Sequence, residues 1–228
     1  MLIGVDPGHG GNDPGSIGPT GLRESEVTLS VSKRLNAFLV AVGQGVVMTR
    51  QEDAYISLLA RSSMLNSQGV DLVISIHCNA SAKREADYIS TFIQGKGGQA
   101  EQVAKCVQAR LVAATGWEDG GVRVDNLHMT RETKAPAILV EMGFISNPVQ
   151  EQMMKAVSWR DKLAKAIVDG IEDYLGVTRD RDMVVKVKGQ EIAGKLIDGR
   201  TWVPLREIVA LLNEDVEWQG PDKPVIVE

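Results

Sequence analysis

The sequence predicts an α/β fold: a three-layer catalytic domain with a central twisted mixed sheet flanked by helices, followed by a small α+β C-terminal domain. Three observations carry this. Short apolar runs at 2–5, 71–76 and 137–140 read as buried strands. Between them, apolar residues recur at helical spacing. At 176–182 the composition turns polar and charged (Gly-Val-Thr-Arg-Asp-Arg-Asp), which marks a boundary. The expected division is 1–176 for the catalytic domain, 177–182 for a linker and 183–228 for the small domain.

The elements follow in order. Leu2–Val5 is a strand that runs into a glycine-rich loop, Asp6-Pro7-Gly8-His9-Gly10-Gly11-Asn12-Asp13-Pro14-Gly15. Val27, Val31, Leu35, Phe38 and Leu39 trace a helix ended by Gly43. Val46–Met48 is a strand, Ile56–Leu65 a helix and Asp71–Ile76 a buried strand. Tyr88–Ile93 reads as a strand before the Gly97-Gly98 break, and Val103, Val107 and Leu111 give the next helix its apolar face. Ala137–Val140 is a central strand. Helices from Pro148 and over Trp159–Leu175 close the domain, the latter with Leu163, Ile167, Ile171 and Leu175 on one side. In the small domain, Met183–Val187 and Glu191–Ile197 are strands joined at Lys188-Gly189-Gln190. A turn at Asp198-Gly199-Arg200, a helix from Pro204 to Leu212 and a strand at Val225–Val227 complete it.

Composition narrows the function. A formal net charge of −5 leaves no Lys/Arg excess for phosphate-driven nucleic-acid binding or for attachment to anionic lipid. No stretch approaches the ~20 apolar residues of a membrane span, so membrane insertion is not expected. The opening Met1-Leu2-Ile3-Gly4-Val5-Asp6 is too short an apolar run for a signal peptide. Cys78 and Cys106 cannot make a disulfide framework and read as small buried thiols.

Chemistry is suggested by where polar residues fall. In open α/β sheets, ligands bind beyond the carboxyl ends of strands. His9 follows the first strand, His77 follows Leu72–Ile76 without a gap, and Glu141 follows Ala137–Val140 in the same way. Glu24 lies before a helix, where it can turn back to that edge. Two imidazoles and a carboxylate (His9, His77, Glu24) are a ligand set for one catalytic zinc ion that leaves a position for water. A further carboxylate must then carry the water proton, and Glu141 suits that role.

A lone histidine is more often a hydrogen-bonded structural residue than a ligand. Here, two of the three histidines sit at strand ends, and Glu141 follows four apolar residues. Glu26 is expected to face water at the helix start. Cys78 should point away from His77, because side chains alternate along a strand. His128 is read as a groove-wall residue and not as a metal ligand, and Asn79 and Arg131 are further substrate-groove candidates.

Four segments carry a family resemblance: Val5-Asp6-Pro7-Gly8-His9-Gly10-Gly11, Gly21-Leu22-Arg23-Glu24-Ser25-Glu26-Val27-Thr28-Leu29, Ser75-Ile76-His77-Cys78-Asn79-Ala80 and Pro136–Asn147. In this order they resemble the motifs of the zinc-dependent N-acetylmuramoyl-L-alanine amidases. The resemblance implies zinc on His9, Glu24 and His77, a catalytic Glu141, and cleavage of the amide between N-acetylmuramic acid and L-alanine in peptidoglycan. Cys78 and Asp87 depart from the motif, which more often has small residues there. The 77–141 interval is too short for the plugging helix of some members, so an open groove is expected.

The C-terminal segment, with Lys188-Gly189-Gln190, Asp198–Glu207 and Val216-Glu217-Trp218, resembles the small domain first named from copper amine oxidases. It has no His or Cys and so implies no copper. A cell-wall-binding or self-associating module is expected. The layout is similar to that of phage endolysins released from the host cytoplasm, and a trimmed secreted autolysin would look the same. The alternatives are a zinc peptidase or carboxypeptidase of wall peptides, and a non-catalytic wall-binding protein.

Overall fold

The computed structural model describes residues 1–177, 181–197, 200–212, 216–217 and 226–227. The chain divides into two compact units, Met1–Leu175 and Gly176–Glu228.

The first unit is built on six strands: β1 (Leu2–Pro7), β2 (Gly45–Met48), β3 (Leu72–Asn79), β4 (Tyr88–Ile93), β5 (Glu118–Val124) and β6 (Ala137–Phe144). Their order across the sheet is β2-β1-β3-β6-β4-β5. Pairing is parallel from β2 through β1 and β3 to β6, antiparallel between β6 and β4, and parallel again between β4 and β5. The sheet is therefore mixed, as expected. The strands β1, β3 and β6 are covered on both faces, which is why they read as continuous apolar runs rather than alternating ones.

Six helices flank the sheet: α1 (Glu24–Ala41), α2 (Leu58–Gln68), α3 (Gln99–Thr115), α4 (His128–Glu132), α5 (Pro148–Lys155) and α6 (Val157–Tyr174). The main core joins Val5, Ile74, Ile76 and Val140 of the sheet to Val27, Val31, Leu35 and Leu39 of α1, Val103 and Val107 of α3, and Leu163 and Ile167 of α6. A smaller cluster on the other face joins Val73 and Ala137 to Leu65 of α2 and Met129 of α4. Three layers result. Local signals set several helix ends. Ser57 Oγ accepts from Ala60 N ahead of α2, and Gly69 closes that helix at φ 63°. Asn147 caps α5, with Pro148 just inside it.

The structure corrects several boundaries. Strands β3 and β6 do not stop at Ile76 and Val140; they run on through His77–Asn79 and Glu141–Phe144, with Asn79 paired to Phe144 after a register shift beyond His77. Helix α1 begins at Glu24, three residues before its first apolar position. The edge strand β5 and the short helix α4 were not predicted. Between β3 and β6 lie β4, α3, β5 and α4, with α3 packed into the main core and α4 into the smaller one.

In the second unit, β7 (Arg181–Val187), β8 (Gln190–Ile197) and β9 (Arg200–Trp202) form an antiparallel meander. Lys188 (φ 47°) and Gly189 (φ 83°) make the two-residue turn between the first two, both in the left-handed region that such hairpins require. Helix α7 (Leu205–Leu212) follows, and β10 (Val216–Glu217) pairs with β11 (Ile226–Val227). The linker positions 178–180, the turn positions Asp198 and Gly199, Trp218 and Val225 lie outside the described residues. No helix among the described residues is long and apolar enough to cross a membrane.

Candidate metal centre

Two buried arginines set the shape of the loop that carries His9. Asp6, at the end of β1, accepts hydrogen bonds from Thr49 Oγ1 (2.6 Å), Ser75 Oγ (2.7 Å) and Arg61 Nη1 (2.9 Å). Burial alone would raise its pKa, but the Arg61 charge and these bonds outweigh it and hold Asp6 below the usual carboxylate range. Arg61 also donates to the carbonyls of Pro7 (2.5 Å), His9 (2.6 Å) and Ile56 (2.8 Å). Arg50 donates to Pro7 O (3.0 Å), Gly8 O (2.8 Å) and Ser25 O (2.9 Å), tying the loop to the start of α1. With its carbonyl fixed, His9 is held at φ 61°, a left-handed conformation uncommon for a side-chain-bearing residue.

His9, Glu24 and His77 converge, each offering a ligand atom within 4.8 Å of the others. Glu24 Oε1 lies 3.2 Å from His9 Nε2 and 3.1 Å from His77 Nδ1, and it accepts from Cys78 N at 2.9 Å. Its other oxygen accepts from Ser16 N at 2.9 Å. The first turn of α1 thus delivers a carboxylate whose two oxygens are both fixed. On the far side of its ring, His9 Nδ1 donates to Asp13 Oδ2 at 2.9 Å. The imidazoles meet edge to face, 5.0 Å between centroids.

Electrostatics favour a cation here. Burial would lower the His9 pKa, yet bonding to Glu24 and Asp13 raises it to about 9. His77 is raised for the same reason, through Glu24 and the nearby Glu141 charge. Glu24 itself, despite burial, is driven below the normal carboxylate range by the two imidazoles. The donor set fits a metal ion: two nitrogens and a carboxylate oxygen face one point and stabilise positive charge there.

Glu141 stands beside this set and not in it. In the sheet register it pairs with His77 on one side and Ser90 on the other, so the three residues share one row across β3, β6 and β4. Its Oε2 is buried with no hydrogen-bond partner among the described residues. Burial raises its pKa to about 7, against the opposing charge of His77 and with that of Glu24. Such a carboxyl gains and loses a proton near neutrality.

Of the other predicted residues, Asn79 ends β3 two positions beyond His77, its Oδ1 accepting from Ala80 N. His128 Nε2 meets Ser62 Oγ of α2 at 3.1 Å, and Arg131 is exposed and paired with Glu132 and Asn126. The structure does not bring these two into the three-residue set. Glu26 is exposed and bonded to Arg160. Cys78 is buried in the main core, on the face opposite His77, and Cys106 is half-buried; both are free.

Sequence reasoning missed Asp13, Asp6, Arg50, Arg61 and Glu151. Buried Glu151 accepts from Thr20 N and Leu22 N and so fixes the loop leading to Glu24. Only Asp13, four residues after His9, carried a readable signal. The glycines have definite roles. A Cβ on Gly15 (φ 64°) would meet both Glu24 Oε2 and the His9 ring at 2.7 Å.

Fold and site together define an α/β protein with a candidate metal centre at the carboxyl edge of its parallel strands. The chain belongs to the N-acetylmuramoyl-L-alanine amidase family, whose model matches residues 3–173. It is 36% identical over 174 residues to the N-acetylmuramoyl-L-alanine amidase LytC of Bacillus subtilis, covering 75% of this chain and 35% of that one. To the sporulation-specific amidase of the same organism it is 32% identical, covering 78% and 70%. The chain thus spans about a third of LytC, and the residues that the family model matches lie in the first unit. Among solved structures, an amidase from Clostridium difficile 630 superposes with a TM-score of 0.74 at 34% identity, covering 78% of this chain and 98% of that one. The catalytic domain of CwlV from Bacillus (Paenibacillus) polymyxa var. colistinus gives 0.73 at 29%, covering 78% and 99%.

Proposed function

We propose that this protein hydrolyses the amide between N-acetylmuramic acid and L-alanine in peptidoglycan, using one zinc ion held by His9, Glu24 and His77. Family membership supports the choice of bond. The observation that carries the mechanism is Glu141: a buried, unpartnered carboxylate oxygen in the same strand row as His77.

When bound, zinc would lower the pKa of a water towards ~7 and polarise the scissile carbonyl. The chain's own groups do the rest. Glu141 takes the proton of the attacking water and returns it to the departing alanine nitrogen. Asp13 holds the proton on His9 Nδ1, which leaves Nε2 as the donor atom facing Glu24. Ser16 N and Cys78 N hold Glu24 in place. Asn79, His128 and Arg131 are proposed to contact substrate further along the groove. The second unit is proposed to tether the enzyme to the wall or to another copy, which raises the local concentration of an insoluble substrate.

The test is Glu141→Ala, assayed by metal content and by mass analysis of fragments released from purified peptidoglycan. The variant should keep its zinc and release no new lactyl-ended glycan or free alanine amino termini. Full activity of the variant would overturn the mechanism. Release of terminal amino acids by the wild type would identify a wall peptidase instead, and wild-type protein without metal or lysis would identify a binding protein.

A further inference from the structure

We propose that Tyr55, with Leu58 beside it, is the platform on which the muramoyl sugar ring lies during hydrolysis; this rests on the amidase reading above. One cavity of about 260 Å³ is lined by His9, His77 and Asp13 together with Tyr55, Ile56 and Leu58. It lies below the ~300–1,000 Å³ usual for a whole small-molecule ligand, which suits a single ring seated at the metal ligands.

Tyr55 is one of three tyrosines in the chain, and it is 58% exposed, next to Leu58 and Leu59, exposed by 55% and 70%. Its backbone is nonetheless fixed to the loop of His9. Gly11 N donates to Asp53 Oδ1 (2.8 Å), Arg50 Nη1 to Glu52 O (3.1 Å), and Arg61 Nε to Ile56 O (2.8 Å). Gly11 packs so closely that a Cβ there would lie 2.6 Å from Tyr55 N. A backbone already fixed spares the cost of ordering this segment on binding.

The same wall is poorly suited to a peptide. The carbonyls of Pro7, Gly8, His9 and Ile56, which an extended peptide would use, already accept from Arg50 or Arg61. What remains is a flat aromatic face with aliphatic neighbours. That surface matches the C–H face of a pyranose.

The test uses the zinc-loaded full chain and two soluble substrates with the same leaving peptide. One is the N-acetylmuramoyl peptide; in the other a D-lactoyl group replaces the muramoyl group, keeping the amide and removing the sugar. Wild type should have the lower KM for the first. Tyr55→Ala should raise KM on the muramoyl substrate about fivefold to tenfold, the change expected from losing one aromatic contact. It should leave kcat and the lactoyl substrate unaltered, while Tyr55→Phe keeps wild-type KM on both. Equal effects of Tyr55→Ala on the two substrates, no effect on either, or a Phe variant as weak as Ala would each overturn the platform. Wild type cleaving both with one KM would sink the platform and spare the amidase. Wild type cleaving neither would sink both.

Discussion

A Cβ placed on Gly8 would lie 2.3 Å from Cε1 of the His77 imidazole. The ring rests against bare backbone, so the gap between β1 and β3 at the site is set by the absence of a side chain. Gly8→Ala is therefore expected to push His77 out of reach of Glu24. Overpacking of this kind costs about 1–3 kcal/mol. Metal content after dialysis, with urea unfolding of the metal-free protein alongside, checks it: metal should be lost although the variant folds. A variant that binds metal as tightly as wild type would show that the contact is slack.

Asp13 acts through His9. Its Oδ2 accepts from Nδ1 at 2.9 Å while Oδ1 accepts from Gly15 N at 3.1 Å, so the carboxylate ties the ring to its own loop. Losing such a partner usually weakens metal affinity about 10- to 100-fold. Asp13→Ala should fall in that range and Asp13→Asn should fall less, measured by competition with a chelator of known affinity. Unchanged affinity in both would make Asp13 a loop residue only.

Arg61 and Asp6 form an ion pair in which both side chains are almost fully buried, and Arg61 also serves three carbonyls. Arg61→Met would leave the Asp6 charge and those oxygens short of donors. Breaking a buried pair from one side typically costs about 3–5 kcal/mol. Denaturant unfolding should show a loss of that size in the metal-free protein. Lys165→Ala, which removes an exposed helical pair with Asp169, should shift stability by less than about 0.5 kcal/mol.

These residues also show what could be read in the sequence. Periodicity located α1, α3, α6 and the strands β1, β3 and β6, because burial forces apolar runs there. It ended β3 and β6 too soon, because the ladder continues where side chains turn from core to chemistry at His77 and Glu141. Strand β5 was hidden by Glu118-Asp119-Gly120-Gly121, residues depleted in strands. Gly120 is needed there, since a Cβ would meet Ile89 O at 2.6 Å. The cluster of His9, Glu24 and His77 was legible as a candidate metal set because each of its histidines follows an apolar strand or sits among glycines. Arg50 and Arg61 were not, because their partners lie tens of residues away, and only the folded chain brings a guanidinium to the Pro7 carbonyl.

Glu141 ties stability to pH in a direction that can be worked out. Its pKa is raised by burial from an ordinary 4.5 to about 7 in the metal-free fold. Between those values the unfolded chain has released the proton and the folded chain still holds it. Stability therefore falls as pH rises through that window, and the penalty is complete above pH 7. Glu141→Gln removes the ionisation. Wild type and variant should match in stability at pH 4.5, and the metal-free variant should be the more stable at pH 8 by on the order of 1–3 kcal/mol. The difference between their pH–Tm curves reports Glu141 together with the part of the His77 shift that its charge causes. A cation on the three ligands would attract the carboxylate's charge and draw its pKa below 7, so loading the wild type with zinc should shift the window towards acid and shrink the gap. Parallel curves, with no gap opening between pH 4.5 and 8, would mean that the carboxyl is hydrated and is not the buried proton carrier that the hydrolysis requires.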